Sequence, residues 1–320
     1  FVAPFRLTLS TTYPEAEIRY TTYARVPTQA AGTRYQAPIQ IEETTVIRAA
    51  AFAPDSLSSP IVTATYLVGM PEAIRSLPAL SLVSAPENLF GRTGILEDQP
   101  RNTIRRGPRW ERPVSVEWIP QAEAEKGFRI DAGLRIQGGD YIRHNHRRNT
   151  PPPTGKYSFR LYFRGTYGQN RLNYPLIPQI PETQFEHLVL RAGMNDPINP
   201  FIVDELIRRL YADMGQGSSQ GVMATLFLNG DYQGYYNPVE RIDANLLQSR
   251  HGGGSDWDII AQRGEVRMGD DRAWRQFLEL GIDRDAGQPE VYEAIRQQLD
   301  IDAFIDYILL NVYVDMDDWP

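Results

Sequence analysis

The sequence contains no cysteine among its 320 residues. Disulfide bonds, thiolate metal sites and thiol catalysis are therefore excluded. A chain without cysteine fits either a bacterial cytosol or an exported protein that ignores redox conditions, so composition leaves the compartment open. The first residue is phenylalanine and no signal peptide is visible, which suggests that the chain was excised from something longer.

Long apolar runs and an excess of positive charge are also missing. The best apolar stretch, 301–314, is interrupted by Asp302, Asp306 and Asn311, whereas a membrane-spanning helix needs roughly 18 apolar residues. We therefore expect no membrane span. A formal net charge of −7 and a pI near 5.3 argue against a general nucleic-acid binder. The length and the 42% apolar content favour a globular chain of two domains.

Lysine is scarce. Lys126 and Lys156 are the two lysines, and arginine supplies the rest of the 33 basic side chains. A lysine ammonium is a compact charge that suits a phosphate oxygen, whereas a guanidinium is a planar fork. Lys156 opens the alternating run 156–164, which is typical of a strand, and it follows a loop rich in glycine, proline and arginine. This setting suggests a nucleotide site. The alternative is an exposed strand lysine without a special role.

The segment 138–156 begins with two glycines and reads as a loop. Glycine lets backbone N–H groups approach a phosphate, and Arg143 offers charge-assisted hydrogen bonds to it. The alternative is a turn or β-bulge with a solvated basic edge. His144 and His146 have the spacing of a metal pair, but carboxylates are scarce nearby, which makes a zinc site the weaker hypothesis.

Residues 1–68 predict a small β-sandwich. Apolar and polar residues alternate, and clusters of turn residues separate the short runs. The segment contains no histidine, no tryptophan and no acid pair that would suggest catalysis. The predicted strands are 5–10, 17–22, 38–41, 45–52 and 61–68.

The N-terminal segment carries a recognisable set of motifs, which are Tyr20-Thr21-Thr22, Tyr35, Pro38-Ile39 and the run 44–49. By these motifs it resembles the chitobiase and β-hexosaminidase C-terminal type of β-sandwich. Where that family usually has an Asp-Gly-Ser turn, this chain has Tyr23-Ala24-Arg25, so we expect a remodelled turn.

Residues 69–78 predict a linker with two prolines, and 79–320 predict one α+β domain. Strands precede helices along this part, which indicates a two-lobed arrangement. Asn229-Gly230 between two alternating runs predicts a tight hairpin, because both residues tolerate positive φ. The predicted strands are 79–83, 114–118, 133–137, 158–163, 186–191, 222–228 and 232–239, and the predicted helices are 200–215, 271–280, 289–299 and 302–313.

The last predicted helix, 302–313, leads into an acidic end. Its spacing places Phe304, Ile305, Ile308, Leu309 and Val312 on one side, which we expect to be buried. Three acids in 315–318 are unfavourable at the C-terminus of a helix, by about 0.3–1 kcal/mol each when exposed. Clustered carboxylates suit Mg²⁺, which suggests a cation there. A solvated acidic end is the alternative.

Seven ordered motifs run through 79–320. These are Trp110-Glu111-Arg112-Pro113, the run 133–139, Lys156-Tyr157-Ser158-Phe159-Arg160, Tyr174-Pro175-Leu176, the run 188–193 with Asn195-Asp196, the run 228–236 with Glu240-Arg241, and Asp318-Trp319-Pro320. With them this part resembles the CotH-type atypical protein kinase family, first known from spore coats, and the preceding β-sandwich would be an accessory domain.

The resemblance implies ATP- and Mg²⁺-dependent phosphoryl transfer to a serine or threonine hydroxyl of a protein substrate. It assigns Lys156 to the phosphates and Asp318 to catalysis and metal binding. Arg135, Arg143 and Glu240 are the further predicted cofactor-binding residues. Glu240 could orient Lys156 or bind metal, or it could pair with Arg241.

Several departures from the family pattern bear on activity. Asp140-Tyr141-Ile142-Arg143 and Met316-Asp317 replace the usual residues, and the family's later asparagine and Asp-Leu-Asp stretch do not occur before Pro320. We therefore expect impaired activity in this chain. The alternative function is a catalytically silent surface module that binds a protein or a polysaccharide through the β-sandwich. The resemblance also favours an extracellular or cell-surface location in a bacterium.

Overall fold

The computed structural model describes residues 1–54, 57–122, 124–151, 155–193, 202–254, 256–261 and 264–316. The chain forms two compact units, one made of Phe1–Phe201 and Gly221–Val239 and the other of Ile202–Gln220 and Glu240–Pro320. The sequence predicts a linker at 69–78, whereas in this division the N-terminal strands belong to the same unit as the larger sheet. A separate N-terminal domain stays a prediction.

The N-terminal region is small and all-β, as the alternation of its sequence predicts. Its strands form a two-stranded sheet, β1–β4, and a four-stranded sheet in the order β3-β2-β5-β6. The pairing of β5 with β2 and with β6 is antiparallel. The strands are β1 Phe5–Leu7, β2 Glu17–Thr21, β3 Thr33–Arg34, β4 Ile39–Ile41, β5 Thr45–Phe52 and β6 Val62–Tyr66.

A closed barrel of seven strands forms the rest of the first unit. Its order is β10-β13-β15-β14-β7-β8-β9, and the pairing of β14 with β7 is parallel. A short strand pair, β11 Leu172–Asn173 with β12 Gln184–Phe185, accompanies it. The barrel strands are β7 Ala79–Val83, β8 Arg112–Ile119, β9 Phe128–Gln137, β10 Ser158–Tyr162, β13 His187–Arg191, β14 Ala224–Leu228 and β15 Asp231–Glu240.

Alternation along the barrel strands fills the interior. In β9, Ile130, Ala132, Leu134 and Ile136 are buried, whereas the charged residues between them lie on the outer face. Successive side chains of a strand point to opposite faces, so one face of each strand builds a single apolar core. Burying such side chains contributes about 1.5–3 kcal/mol each before entropy is counted.

The hairpin between β14 and β15 turns at Asn229-Gly230, as predicted. Asn229 has φ 54° and Gly230 has φ 92°, which are the left-handed conformations that a two-residue hairpin turn requires. Leu228 pairs with Asp231 across the turn. The Asn229 side chain also accepts a hydrogen bond from the Ser84 backbone N–H at 2.8 Å, which ties the turn to the end of β7.

Short helices connect the strands of the first unit. They are α1 Glu72–Arg75, α2 Pro86–Leu89 and α3 Asp140–Asn145, with 3₁₀ turns at Asn102–Ile104, Pro108–Trp110 and Gly165–Tyr167. The prediction of a plain loop over 138–156 was wrong at α3. This helix has no side-chain cap, and Asp140 in its first turn is only a weak helix-start signal.

The second unit is mainly helical. Its elements are α4 Val203–Asp213, α5 Ala244–His251, the hairpin of β16 Ile259–Ala261 and β17 Glu265–Met268, α6 Arg272–Ile282, α7 Pro289–Arg296 and α8 Ile301–Tyr313. Helix α5 and the hairpin were not predicted. No helix among the described residues is long and apolar enough to cross a membrane.

The predicted buried side of α8 was wrong for four of its five residues, whereas Ile308 is partly buried. Phe304, Ile305, Leu309 and Val312 are each about half exposed or more, and Leu310 is the buried residue. Helix α8 packs against α4, where the Tyr211 hydroxyl donates to the Ala303 carbonyl. Apolar residues occur nearly all round this helix, so spacing alone does not select the face that becomes buried.

The N-terminal strands are fixed to the barrel by a buried polar contact. Glu117 on β8 accepts a hydrogen bond from the Thr65 backbone N–H at 2.8 Å, and the Thr65 hydroxyl lies 2.7 Å from the Ser81 hydroxyl. Val83 of the barrel also packs against Ala24 and Val46. The two parts therefore share both a polar and an apolar contact.

Replacing Glu117 tests the strength of this contact. Glu117→Ala leaves the buried Thr65 N–H without its acceptor, which costs about 1–3 kcal/mol. We expect a lower midpoint in thermal unfolding, with partial recovery in Glu117→Gln, which keeps an acceptor oxygen. The exposed Glu125→Ala is the control. Equal midpoints for Glu117→Ala and Glu125→Ala would contradict this account.

Candidate functional site

Lys156 lies two residues before β10 and is half-buried. Its ammonium donates a hydrogen bond to the Tyr235 carbonyl at 2.5 Å. The same nitrogen lies 4.7 Å from the centre of the Tyr236 ring, within the range of a cation–π contact. Lys156 is thus held by backbone and ring atoms of β15, rather than extending into solvent as an exposed strand lysine would.

Burial changes the chemistry of this amine. It lowers the pKa of Lys156 from 10.5 to about 8, because the charged form loses hydration. The ammonium therefore remains mostly charged at neutral pH but is poorly solvated. An ammonium in this state gains more from an approaching anion than a solvated one does.

The Gly138-Gly139 turn lies at the same end of the barrel as Lys156. Strands β9 and β10 pair antiparallel with Gln137 opposite Ser158, so the residues that follow β9 and those that precede β10 share one edge. Gly138 has φ 136°, a conformation that other residues rarely adopt. The turn and the lysine therefore lie at one edge of the barrel, and a shared site stays a prediction. Their donor chemistry fits a phosphate group.

Arg143 is buried on α3 rather than displayed in an open loop. Its guanidinium donates to the carbonyls of Gly138 at 2.8 Å, Thr103 at 3.1 Å and Arg105 at 3.0 Å, and also to that of Ile136. Burial, together with the nearby charges of Arg106 and Arg160, lowers its pKa to about 10. These contacts give Arg143 a structural role, and a role in nucleotide binding stays a prediction.

Arg135 lies on the outer face of β9. Its guanidinium binds Glu111, with Nε at 2.7 Å and Nη2 at 2.5 Å from the same carboxylate oxygen. It also stacks 4.3 Å above the Tyr162 ring. The Tyr167 hydroxyl donates to the other oxygen of Glu111 at 3.1 Å. Arg135 is therefore part of an ion pair in this structure, and its contact with a nucleotide stays a prediction.

Glu240 is buried, and it is the first residue of the segment Glu240–Pro320 of the second unit. One carboxylate oxygen accepts hydrogen bonds from the Gln220 backbone N–H at 2.8 Å and from Arg250 at 2.5 Å. Arg250 also donates to the Ser218 carbonyl, which joins helix α5 to the segment after α4. The predicted roles of Glu240 with Lys156, with metal or with Arg241 stay predictions.

Asp318, the predicted catalytic and metal-binding residue, lies outside the described residues, as does the Asn195-Asp196 motif. Helix α8 ends at Tyr313, and Asp315 follows with φ 52°. Among the side chains that the structure describes, no group of three or more histidines and carboxylates could hold a metal ion. His144 contacts the Asp140 carbonyl of its own helix at 2.7 Å.

Tyr236 was not singled out from the sequence. It is almost fully buried inside the barrel, and its hydroxyl donates to the Tyr157 carbonyl at 2.8 Å. Its ring stacks with Phe159, with 6.4 Å between the centres. A signal was available, because Gly234 interrupts an otherwise regular strand pattern, and an isolated glycine there indicates a bulge or a close approach.

Comparison with known protein families adds two matches. A family model described as CotH kinase protein matches residues 145–319. A second model, described as Fn3 associated, matches residues 7–66. No curated protein matches the chain. The matched ranges cover Lys156 and Asp318 in one case and the N-terminal strands in the other.

The role of Arg143 can be tested by substitution. Arg143→Ala removes four hydrogen bonds to backbone carbonyls, so we expect a loss of about 2–4 kcal/mol of unfolding free energy. Arg143→Lys should recover little, because an ammonium cannot reproduce the fork. Denaturant unfolding measures both, with the exposed Arg92→Ala as the control. Unchanged stability in Arg143→Ala would contradict a structural role.

The low pKa of Lys156 predicts a dependence of stability on pH. Between pH 8 and pH 10.5 the unfolded chain holds a proton on Lys156 that the folded chain has lost, so stability rises with pH in this window. Lys156→Met removes that contribution. We expect the variant's stability relative to the wild type to be higher at pH 7 than at pH 10, by on the order of 1 kcal/mol after screening.

The matched control is Lys126→Met, because Lys126 is exposed. Urea unfolding of the three proteins at several pH values between 7 and 10 gives the comparison. If the two lysine variants follow the same pH dependence, burial does not govern the protonation of Lys156.

Proposed function

Because the chain belongs to the CotH kinase protein family, we propose that it transfers the terminal phosphoryl group of ATP to a serine or threonine hydroxyl of a protein. The observation that carries this proposal is the ammonium of Lys156. It is half-buried, has a lowered pKa and lies at the same barrel edge as the Gly138-Gly139 turn. This combination suits a phosphate better than it suits a structural lysine.

In the proposed reaction, Lys156 binds phosphate oxygens and neutralises part of their charge. Asp318 accepts the proton of the substrate hydroxyl. The hydroxyl oxygen then bonds to the terminal phosphorus as the bond from that phosphorus to the bridging oxygen breaks, which leaves ADP. Mg²⁺, when bound, would neutralise phosphate charge, and Asp318 is the carboxylate that we propose as its ligand.

The Fn3-associated segment supports a location outside the cell or on its surface. We propose that it is an accessory β-domain, of the chitobiase C-terminal type, that presents the kinase part to a bacterial surface target. Its polar and apolar contacts with the barrel, through Thr65, Glu117 and Val83, would fix its orientation towards a substrate held by the barrel.

A second candidate is a catalytically silent binding module for a surface protein or a polysaccharide. The observation that favours it is the engagement of predicted site residues in internal contacts: Arg143 with carbonyls, Arg135 with Glu111, and Glu240 with Arg250. If these side chains bound a nucleotide, they would have to leave their internal contacts. If they keep those contacts, their role is structural.

Ligand-dependent stability and phosphate transfer separate the two candidates. ATP with Mg²⁺ should raise the unfolding midpoint of the wild type and of Lys126→Met but not that of Lys156→Met. A ligand at 100 times its Kd adds about 2.7 kcal/mol. Asp318→Asn should lose transfer of labelled phosphate to a serine- and threonine-bearing peptide library.

The opposite results are equally clear. No effect of ATP on the wild type, together with binding to a glycan array, would select the silent module. Phosphate transfer that persists in Asp318→Asn would exclude Asp318 as the base.

A further inference from the structure

Strand β15 carries a β-bulge beside Lys156. Phe227 pairs with Tyr232 and Thr225 pairs with Tyr235, so Gln233 and Gly234 together face a single residue of β14. Gly234 has φ 90°, which a residue with a side chain rarely adopts. A bulge bends its strand and changes the direction in which the following groups point.

The residues at and after the bulge surround the ammonium. A Cβ atom added to Gly234 would lie 3.6 Å from Cε and 3.7 Å from Nζ of Lys156, which is ordinary van der Waals contact. The Tyr235 carbonyl accepts the 2.5 Å hydrogen bond, and the Tyr236 ring lies 4.7 Å away. One short segment therefore supplies the backbone surface, the acceptor and the aromatic face that surround this amine.

The contact is reciprocal. Lys156 donates to β15 through Tyr235, and β15 donates back through the Tyr236 hydroxyl to the Tyr157 carbonyl at 2.8 Å. Strand β13 lies between β10 and β15 in the barrel, so these two bonds connect strands that are not neighbours. The position of the ammonium thus depends on the course of β15 at the bulge.

We infer that Gly234 is the positioning residue for Lys156, because its left-handed conformation aims the Tyr235 carbonyl at the ammonium. Gly234 itself contacts neither phosphate nor substrate in this account. The significance of Lys156 as a phosphate ligand rests on the proposed function. Its position and protonation can be measured whether or not that function is correct.

The chain provides a matched control for this inference. Gly230, in the hairpin turn of the same strand, has φ 92°, and a Cβ added there would lie 3.5 Å from Val46. Gly230→Ala therefore imposes a similar backbone strain without approaching Lys156. Gly234→Asn adds a third comparison, because asparagine tolerates positive φ and its Cβ fits beside the amine at ordinary contact distance.

The experiment measures acetylation of lysine by acetic anhydride as a function of pH, with Lys156 and Lys126 distinguished by mass spectrometry. The reactive form is the neutral amine, so the midpoint of the profile reports the protonation of Lys156. Tyr235, Tyr236 and Tyr157 carry the titratable hydroxyls of the segments that contact each other here. Burial raises the pKa of Tyr236, and it raises the pKa of Tyr157 to about 12. The Tyr236 and Tyr157 hydroxyls therefore stay protonated.

For the wild type and Gly230→Ala we expect a midpoint near pH 8 at Lys156. In Gly234→Ala the left-handed conformation is disfavoured, the Tyr235 carbonyl turns away and the amine moves towards solvent, so we expect the midpoint to rise by about one pH unit or more. Gly234→Asn should stay close to the wild type. Affinity for ATP with Mg²⁺ should fall at least about tenfold in Gly234→Ala and stay unchanged in Gly230→Ala.

Equal Lys156 midpoints in Gly234→Ala and Gly230→Ala would overturn the inference. If Gly234→Ala does not fold, Gly234→Ser, which also disfavours positive φ, carries the same comparison. If the wild type binds no ATP but Gly234→Ala or Gly234→Ser shows the predicted shift, the proposed function is rejected and the positioning role is retained.

Discussion

The reciprocal contact between Lys156-Tyr157 and Tyr235-Tyr236 is the interaction on which the candidate site depends. It spans β13 and connects the residues just before β10 to the middle of β15, so it depends on the order β10-β13-β15 in the barrel. The contact keeps a charged amine where hydration is incomplete, which lowers its pKa and raises the free energy of the charged form. The free energy gained by burying the leucine-rich core of the same strands offsets this unfavourable term. A partly desolvated cation held by a rigid sheet is a suitable partner for an anion.

Arginine serves a different purpose in this chain. The guanidiniums of Arg143, Arg135 and Arg250 bind carbonyls and carboxylates of the chain itself, and they connect segments that are distant in sequence. A planar fork with five donors suits several fixed acceptors at once, whereas an ammonium suits an acceptor whose position can vary. Because these structural contacts are made by arginine, the half-buried ammonium of Lys156 differs in chemistry from the other buried cations described here.

Much of the architecture could be predicted from the sequence. Strands β5 and β7 have the predicted bounds, and the Asn229-Gly230 hairpin is confirmed, because alternation and turn chemistry are local properties. The burial of Arg143 and the exposed face of α8 could not be predicted in this way. Both depend on contacts between distant segments, with 103–105 in the first case and with α4 in the second. Helix α3 was missed as well, because it has no side-chain cap and Arg143 connects it to carbonyls that are distant in sequence.

The candidate site shows the same limit. Scarcity of lysine and the position of Lys156 before a strand were sufficient to select that residue, which is half-buried in the structure. The sequence did not indicate that Tyr235 and Tyr236 would surround it, because their partner is 79 residues away. Gly234 is the one local feature that indicates a bulge or a close approach in this part of β15.

The most direct measurement uses the scarcity of lysine. With ¹³C at lysine Cε, the NMR spectrum contains two lysine signals, from Lys126 and Lys156, and each can be followed during a titration with ATP and Mg²⁺. The account predicts that the Lys156 signal shifts and that its titration midpoint rises above about 8, because a bound phosphate favours the charged amine. A Lys156 signal whose position and midpoint are unaffected by saturating ATP would contradict the central claim.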